Sequence, residues 1–138
     1  MEREVVLRKL AAAAAWIDDV ERRLAPGLQH FLDDADTADL AAFHLQLAMQ
    51  ECLDLAAHWI VSASLPPPTA AAAAFDTLAG AGLIPVPLAV LMRGGASLRN
   101  RIAHGYGSID RARLYADVSD GLPGLRAFLA AVAAAAGL

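Results

Sequence analysis

The stretch from residue 38 to residue 62 constrains the fold more than any other part of the sequence. It contains no glycine, proline, lysine or arginine, which favours one long helix. Asp36 and Thr37 stand before it as a helix-capping pair. Apolar residues surround its axis on nearly all sides: Leu40, Phe43, Leu45, Leu47, Met49, Leu53, Leu55, Trp59 and Ile60. Because such a helix must be covered on most sides, we expect it to pack both in the core of a bundle and against a second copy of the chain.

Glycines and prolines divide the remaining chain into further helices. Alanine and leucine dominate the sequence, and both residues favour helix over strand. We expect helices at residues 2–24, 70–79, 85–103 and 110–135, with a short turn at 28–32 and a break in the last helix at 121–123. No stretch alternates apolar and polar residues as a strand would. We therefore predict a single all-α domain over residues 1–138, an antiparallel four- to five-helix bundle that forms a homodimer.

Several features of the sequence bear on the cellular compartment. Glu2 and Glu4 stand where a signal peptide requires a positively charged segment. No stretch reaches the roughly 18 uncharged apolar residues that a membrane-spanning helix needs. The single cysteine, Cys52, cannot form an internal disulfide, which fits a reducing compartment. We expect a soluble, cytoplasmic protein with no membrane partner.

Arginines cluster in one part of a chain whose formal net charge is −4. No lysine or arginine occurs between Leu24 and Met92, although that region holds seven acidic residues. Residues 93–113 then contain a single acid and five arginines: Arg93, Arg99, Arg101, Arg111 and Arg113. A local positive field attracts phosphate even on an acidic protein, which makes Arg93, Arg101 and Arg111 candidate phosphate contacts. On charge alone, a solvated polar face explains the cluster equally well.

Arg99, Asn100 and His104 stand at the predicted end of a helix, beside Gly105 and Gly107. The guanidinium of arginine presents a planar set of donors that matches phosphate oxygens, and histidine exchanges a proton near neutral pH. Together they suit attack of a ribose 2′-hydroxyl on the adjacent phosphodiester. This chemistry predicts RNA as the substrate and requires no metal or other cofactor.

The spacing of Arg99 and His104 leaves two structural alternatives open. Five residues along a helix turn by about 140°, so the two side chains do not share one face. Either the helix ends before His104, or the working site gathers residues from two subunits. A twofold dimer would bring two histidines and two arginines to one cleft. One histidine per chain would otherwise leave either the acid or the base missing.

Polar residues on the apolar helix form a second candidate group. His44, Glu51 and His58 are spaced seven residues apart and share one face, and Asp54 lies four residues before His58. A metal site in a bundle needs ligands from several helices, so we expect no metal and favour a hydrogen bond between Asp54 and His58. Both residues are candidates for supporting the cleft. Cys52 has no basic neighbour at a suitable spacing and is not expected to be catalytic.

The residues from Arg99 to Tyr106 resemble the Arg-x4-His-x-Tyr signature of HepT-like toxins in the HEPN superfamily. The likeness covers roughly residues 7–128. It includes His44-Leu45-Gln46-Leu47-Ala48, Leu53-Asp54-Leu55-Ala56, His58, Pro67, Phe75, Leu78, Gly82-Leu83-Ile84 and Ile109-Asp110. The combined pattern is far more specific than the short motif alone.

The resemblance implies an HEPN-like bundle that acts as a homodimeric, metal-independent endoribonuclease toxin. Arg99 and His104 would be its catalytic pair, with Asn100 as a polar helper. The resemblance also implies an MntA-like nucleotidyltransferase antitoxin as partner, as in type VII toxin–antitoxin systems. In that family the antitoxin transfers AMP to the tyrosine of the motif, here Tyr106. Added bulk and negative charge at Tyr106 would oppose RNA at a site built for phosphate.

Two other functions stay open from the sequence. The chain could be an HEPN-like binding module that assists a nucleotidyltransferase without cutting RNA. It could also be a plain dimerisation bundle whose arginines only solvate one face. The joint presence of Arg99, Asn100, His104 and Tyr106 favours the nuclease, because a scaffold has no need of all four.

Overall fold

Six helices and no strand make up the computed structural model, which describes residues 1–138. The helices are α1 (Arg3–Leu24), α2 (Leu28–Asp33), α3 (Ala35–Ser62), α4 (Ala74–Gly80), α5 (Val86–Gly105) and α6 (Arg111–Ala135). Short 3-10 turns at Ala71–Ala73 and Tyr106–Ser108 precede α4 and follow α5. The predicted all-α bundle with four long helices is confirmed, and the turn predicted at residues 28–32 is the short helix α2.

The apolar helix α3 lies at the centre of the bundle. It packs against α1 more extensively than against any other helix, and it also contacts α2, α4, α5 and α6. The chain therefore covers much of this helix itself, because five other helices contact it. Three of its large apolar side chains stay exposed: Leu40 and Phe43 near its beginning and Val61 near its end.

Asp34, rather than Asp36 and Thr37, caps α3. Its side chain accepts hydrogen bonds from the backbone N–H groups of Asp36 and Thr37, at 3.1 and 3.4 Å. The helix accordingly begins at Ala35, before the start predicted at residue 38. The predicted start was wrong because Asp34 has the same capping chemistry as Asp36 and precedes it in the chain.

Helix α6 begins, as predicted, after the cap Asp110, but it runs without interruption through Pro123. The predicted break at residues 121–123 is therefore wrong. A proline inside a helix costs about 3 kcal/mol, because it removes one backbone donor and crowds the preceding turn. The side chains of Leu122 and Leu125, on either side of Pro123, are buried in the core. Their packing holds the segment helical despite the proline.

By length and composition alone, α6 is apolar enough to cross a membrane. In the structure it packs against α1, α2, α3 and α5. Its apolar side chains Leu114, Val118 and Phe128 are buried against those helices. This arrangement is that of a core helix in a bundle.

Helices α3 and α5 approach each other closely at Gly95. A Cβ atom at this position would lie only 3.0 Å from the Sδ atom of Met49. A side chain on residue 95 would therefore have to displace the flexible side chain of Met49. The glycine thus marks a point where α5 packs directly on α3.

Candidate functional site

The predicted catalytic residues Arg99, Asn100 and His104 all lie near the C-terminal end of α5, which runs to Gly105. His104 is therefore helical, and the alternative in which the helix ends before His104 is wrong. Over five residues of helix, side-chain directions differ by about 140°. One protomer thus does not bring Arg99 and His104 together on one face.

These two side chains have different surroundings. His104 and Asn100 are exposed, and helical spacing places them on the same face of α5 as Arg93, roughly 16 Å along the axis from His104. Arg99 is only partly exposed and turns toward α3. An exposed imidazole can exchange protons with solvent or with a second molecule, whereas Arg99 is held in place by its own chain.

Two hydrogen bonds hold the guanidinium of Arg99. Its Nη2 donates to Oε1 of Gln50 on α3 at 2.8 Å, and its Nη1 donates to Oδ1 of Asn100 at 3.0 Å. The Nε atom of Arg99 is buried and has no hydrogen-bond partner. Since both acceptors are neutral amides, no carboxylate cancels the positive charge, which stays available to an anion.

Gln50 belongs to a hydrogen-bond network that reaches α1. Its Nε2 donates to Oδ1 of Asp54 at 3.0 Å, so the amide is fixed at both ends. The Nζ of Lys9 donates to Asp54 at 3.1 Å and to Glu51 at 3.2 Å. Burial lowers the pKa of Lys9, but the bonds to the two carboxylates outweigh burial and raise it overall. The position of Arg99 is therefore tied to α1 through two intervening side chains.

The hydrogen bond predicted between Asp54 and His58 is not formed. The carboxylate of Asp54 is bonded to Gln50 and Lys9 instead. The Nε2 atom of His58 is buried and has no partner. Asp54 thus bonds to Gln50, the residue that holds Arg99, whereas His58 has no such bond.

Tyr106 lies directly after α5, at the start of the turn Tyr106–Ser108. Its hydroxyl donates a hydrogen bond to Oδ1 of Asp39 on α3. Burial and the neighbouring carboxylate of Asp39 raise the pKa of Tyr106 to about 12, while the charge of Arg111 acts in the opposite direction. Tyr106 and Arg111 together line a cavity of about 130 Å³. The phenol is therefore influenced by an anion on α3 and by a cation on α6.

The three candidate phosphate contacts differ in their surroundings. The side chain of Arg93 is 57% exposed, and a carboxylate of α4 lies 3.6 Å from it. Arg101 pairs with Asp117 at 3.4 Å and borders a cavity of about 280 Å³ between α3, α5 and α6. Arg111 donates to a backbone carbonyl of α2 at 3.3 Å. Of the three, only Arg111 lines the cavity beside Tyr106.

A second histidine, His44, is held in an ion-pair cluster on the α1 side of α3. Its Nδ1 bonds to the carboxylate of Asp19, which also accepts hydrogen bonds from Arg22 and Arg23. The ring of Trp16 lies against His44, with centroids 4.9 Å apart. Burial would raise the pKa of Asp19, but the bonds from Arg23, His44 and Arg22 outweigh burial and lower it to about 2.

The remaining candidates on α3 do not form a group that could hold a metal ion. Glu51 bonds to Lys9, and the structure contains no arrangement of three or more His, Cys, Asp or Glu side chains suited to a metal. Cys52 is buried, which raises the pKa of its thiol to about 12. A thiol with such a pKa is a poor nucleophile near neutral pH.

Two residues that contact the motif, Gln50 and Asp39, were not predicted from the sequence. They are eleven residues apart on α3, which is close to three helical turns, so they lie on one face. That periodicity is visible in the sequence. Nothing in the sequence shows that this face of α3, rather than another polar one, meets the end of α5.

Fold and site together define a class of protein: an all-α bundle with an exposed histidine and an un-neutralised arginine at the end of one helix, followed by a tyrosine. Residues 14–132 match a family described as Ribonuclease HepT-like. The chain belongs to this HepT-like family, which confirms the resemblance seen in the sequence. No curated protein matches the chain.

Solved structures share the fold along nearly the whole chain. A chain of the tri-AMPylated Shewanella oneidensis HEPN toxin in complex with MNT antitoxin is 24% identical, with a TM-score of 0.87 over 94% of this chain and 97% of that chain. A mutant MntA–HpeT toxin–antitoxin gives 23% identity and a TM-score of 0.86 over 94% and 98% of the two chains. A chain of a toxin–antitoxin with AMP-PNP is 23% identical, with a TM-score of 0.85 over 93% of this chain and 97% of that chain. At these identities the likeness establishes the fold.

Proposed function

We propose that this protein is a metal-independent endoribonuclease toxin that acts as a homodimer in the cytoplasm. One observation carries the proposal: an exposed His104 follows, on the same helix, an Arg99 whose charge no carboxylate cancels, in a chain of the Ribonuclease HepT-like family. This pairing supplies the two things that cleavage of a phosphodiester demands. A proton must move, and negative charge on the phosphate must be stabilised.

The cleavage uses the ribose 2′-hydroxyl as nucleophile. His104 takes the proton of that hydroxyl, the new oxygen–phosphorus bond forms, and the bond to the leaving 5′-oxygen breaks. An acid then gives a proton to the leaving oxygen, and the His104 of a second copy fills this role. The guanidinium of Arg99 stabilises the extra charge on the phosphate in the transition state, and Asn100 helps to hold Arg99.

A second copy of the chain is needed because Arg99 and His104 face different directions on one helix. Exposed apolar side chains near the beginning of α3, Leu40 and Phe43, support such a pairing. Phe43 is 51% exposed and lies on the same side of α3 as Asp39 and Gln50, the two residues that contact the motif. A twofold interface across this part of α3 would bury the exposed phenyl ring and place the two motifs at one cleft.

A nucleotidyltransferase antitoxin is the proposed partner, and transfer of AMP to Tyr106 is the proposed means of neutralisation. In the Shewanella oneidensis relative, the HEPN toxin is tri-AMPylated and in complex with MNT antitoxin. Tyr106 lies two residues after His104 and beside Arg111. An AMP group there would add bulk and negative charge at the entrance to the site. Mass spectrometry after co-expression should find the added AMP on Tyr106, and Tyr106→Phe should prevent it.

Cleavage of RNA by the purified protein in the presence of EDTA tests the nuclease proposal. We expect wild-type protein and the Arg8→Ala control to cleave, and Arg99→Ala to lose at least about 10²-fold in rate, as loss of one charge-stabilising donor does elsewhere. Cleavage that persists in both Arg99→Ala and His104→Ala would contradict the proposal. A protein that binds its nucleotidyltransferase but never cuts RNA would instead be the binding module.

A further inference from the structure

Asp39 is in direct contact with the hydroxyl group that the proposed modification would use. The phenolic oxygen of Tyr106 donates its hydrogen bond to Oδ1 of Asp39. Asp39 is exposed and lies on α3, whereas Tyr106 lies in the turn after α5, so the contact joins two elements. No role in the bundle core accounts for a carboxylate at this position.

A tyrosine hydroxyl becomes a good nucleophile only when its proton is removed. Burial and Asp39 raise the pKa of Tyr106 to about 12, so the phenol carries its proton at neutral pH. Attack on phosphorus therefore requires a base that takes the proton while the new bond forms. The base must lie within hydrogen-bond reach of the phenolic oxygen, and the side chain bonded to that oxygen is Asp39.

A positive charge also acts on Tyr106. Arg111 of α6 lines the same cavity as Tyr106, and its charge acts on the phenol. A phosphate group that approaches the phenolic oxygen from this cavity would meet a cation, while the proton leaves toward an anion. The two charges are thus arranged for a transfer in which negative charge grows on phosphate.

We infer that Asp39 is the proton acceptor in the transfer of AMP to Tyr106. The phenolic oxygen attacks the α-phosphorus of a nucleoside triphosphate held by the nucleotidyltransferase. The oxygen–phosphorus bond forms, the bond from the α-phosphorus to the bridging oxygen breaks, and pyrophosphate leaves with that electron pair. The proton passes from Tyr106 to the carboxylate of Asp39 and then to solvent. The toxin therefore supplies part of the catalytic machinery for its own inactivation.

This inference rests on the proposed modification of Tyr106, and Asp39→Asn tests it. The amide keeps the shape of the side chain and still accepts the hydrogen bond of the phenol, but it is a very weak base. Asp36→Asn is the matched control, since Asp36 is an exposed carboxylate on the same helix and Tyr106 bonds to Asp39 instead. The rate of AMP transfer is measured by intact mass with the nucleotidyltransferase antitoxin, ATP and Mg²⁺.

We expect Asp39→Asn to slow the maximal rate of AMP transfer by about 10²-fold or more, with little change in the KM for ATP. Asp39→Glu should recover much of the rate, because it restores a carboxylate. Asp36→Asn should match wild type, and thermal melting verifies that each variant is folded.

Three results would overturn the inference, and they are distinguishable. If wild-type protein is modified on Tyr106 and Asp39→Asn is modified as fast or faster, Asp39 is not the base, while the proposed function stands. If wild-type Tyr106 receives no AMP at all, the proposed neutralisation fails and the role of Asp39 fails with it. A slow rate in both Asp39→Asn and Asp39→Glu, with a raised KM for the toxin, would make Asp39 a docking contact instead.

Discussion

His44 and His104 show two different uses of histidine in one small bundle. His44 is bonded to Asp19, packed against Trp16 and surrounded by the arginines that share the same carboxylate. His104 is exposed at the end of α5. The first histidine has its partners already, whereas the second is free to take one from another molecule.

The arginines near these two histidines differ in the same way, in whether they have partners within the fold. Arg22 and Arg23 are each paired with Asp19, so each guanidinium already has a carboxylate partner within the fold. Arg99 is bonded only to the neutral amides of Gln50 and Asn100. A positive charge held in place without a counter-ion is suited to a substrate anion. The Asp19 cluster, which consists of Asp19, Arg22, Arg23 and His44, therefore stabilises the fold. The end of α5 instead presents groups that can act on a substrate.

Replacing each of the two histidines separately with alanine should give the largest difference in the rate of RNA cleavage. His104→Ala should lower the rate of RNA cleavage by about 10³-fold with little change in Tm, because it removes the proton carrier from an exposed position. His44→Ala should instead lower Tm and keep most of the cleavage rate per folded molecule. A cleavage assay in EDTA and a thermal melt on both proteins verify this, and similar loss of cleavage in the two variants would abolish the contrast.

Replacing Gln50 should have the next largest effect on RNA cleavage. Gln50→Ala leaves Arg99 without its acceptor on α3, and a misplaced guanidinium should cost about tenfold to 10²-fold in kcat with little change in KM. Gln46→Ala is the matched control, since Gln46 lies one turn earlier on α3 and is not bonded to Arg99. Equal kcat values for the two variants would show that Gln50 does not position Arg99.

The Asp19 cluster should make the free energy of unfolding depend on pH. The pKa of Asp19 falls from 3.8 to about 2 on folding, so the ionised carboxylate stabilises the fold above pH 3.8 and loses that effect as the pH falls toward 2. Asp19→Asn should therefore lower the free energy of unfolding by about 2 kcal/mol near neutral pH. Urea unfolding across the pH range should show the deficit shrinking in acid, and a constant deficit would contradict this assignment.

Replacing Arg93 should have the smallest effect, which is on the affinity for RNA. It lies on the face of α5 that carries His104, but a carboxylate of α4 stands 3.6 Å away. Arg93→Ala should reduce the slope of log affinity for RNA against log salt by about one, as expected for one phosphate contact. Arg126→Ala is the control, because Arg126 is paired with acids of α1. An unchanged slope in Arg93→Ala would remove this residue from the RNA surface.

The fold was largely predictable because its strongest determinants are local. The apolar stretch around α3, the cap at Asp110 and the glycine at the end of α5 each act within a few residues. The errors at Asp34 and Pro123 also have a common cause. In each case the sequence offered a plausible boundary, and a competing cap or the packing of neighbouring leucines decided where the helix began or continued.

The motif was predictable from the sequence, but its supports were not. Arg99 and His104 stand close together in the chain, so their spacing is visible. Gln50 and Asp39 meet the motif because α5 packs on α3 in the folded protein. Contacts between helices so distant in sequence depend on which faces meet, and single-sequence patterns carry no such information.

Mixing wild-type protein with His104→Ala tests most directly whether two copies of His104 serve one RNA-cleaving cleft. The two chains are combined in equal amounts, unfolded together and refolded, so that dimers form at random, and cleavage is measured at constant total protein. If both histidines act in one cleft, only wild-type dimers cleave, and about a quarter of the full rate should remain. If each chain carries a complete site, about half of the rate should remain, which would contradict the shared cleft.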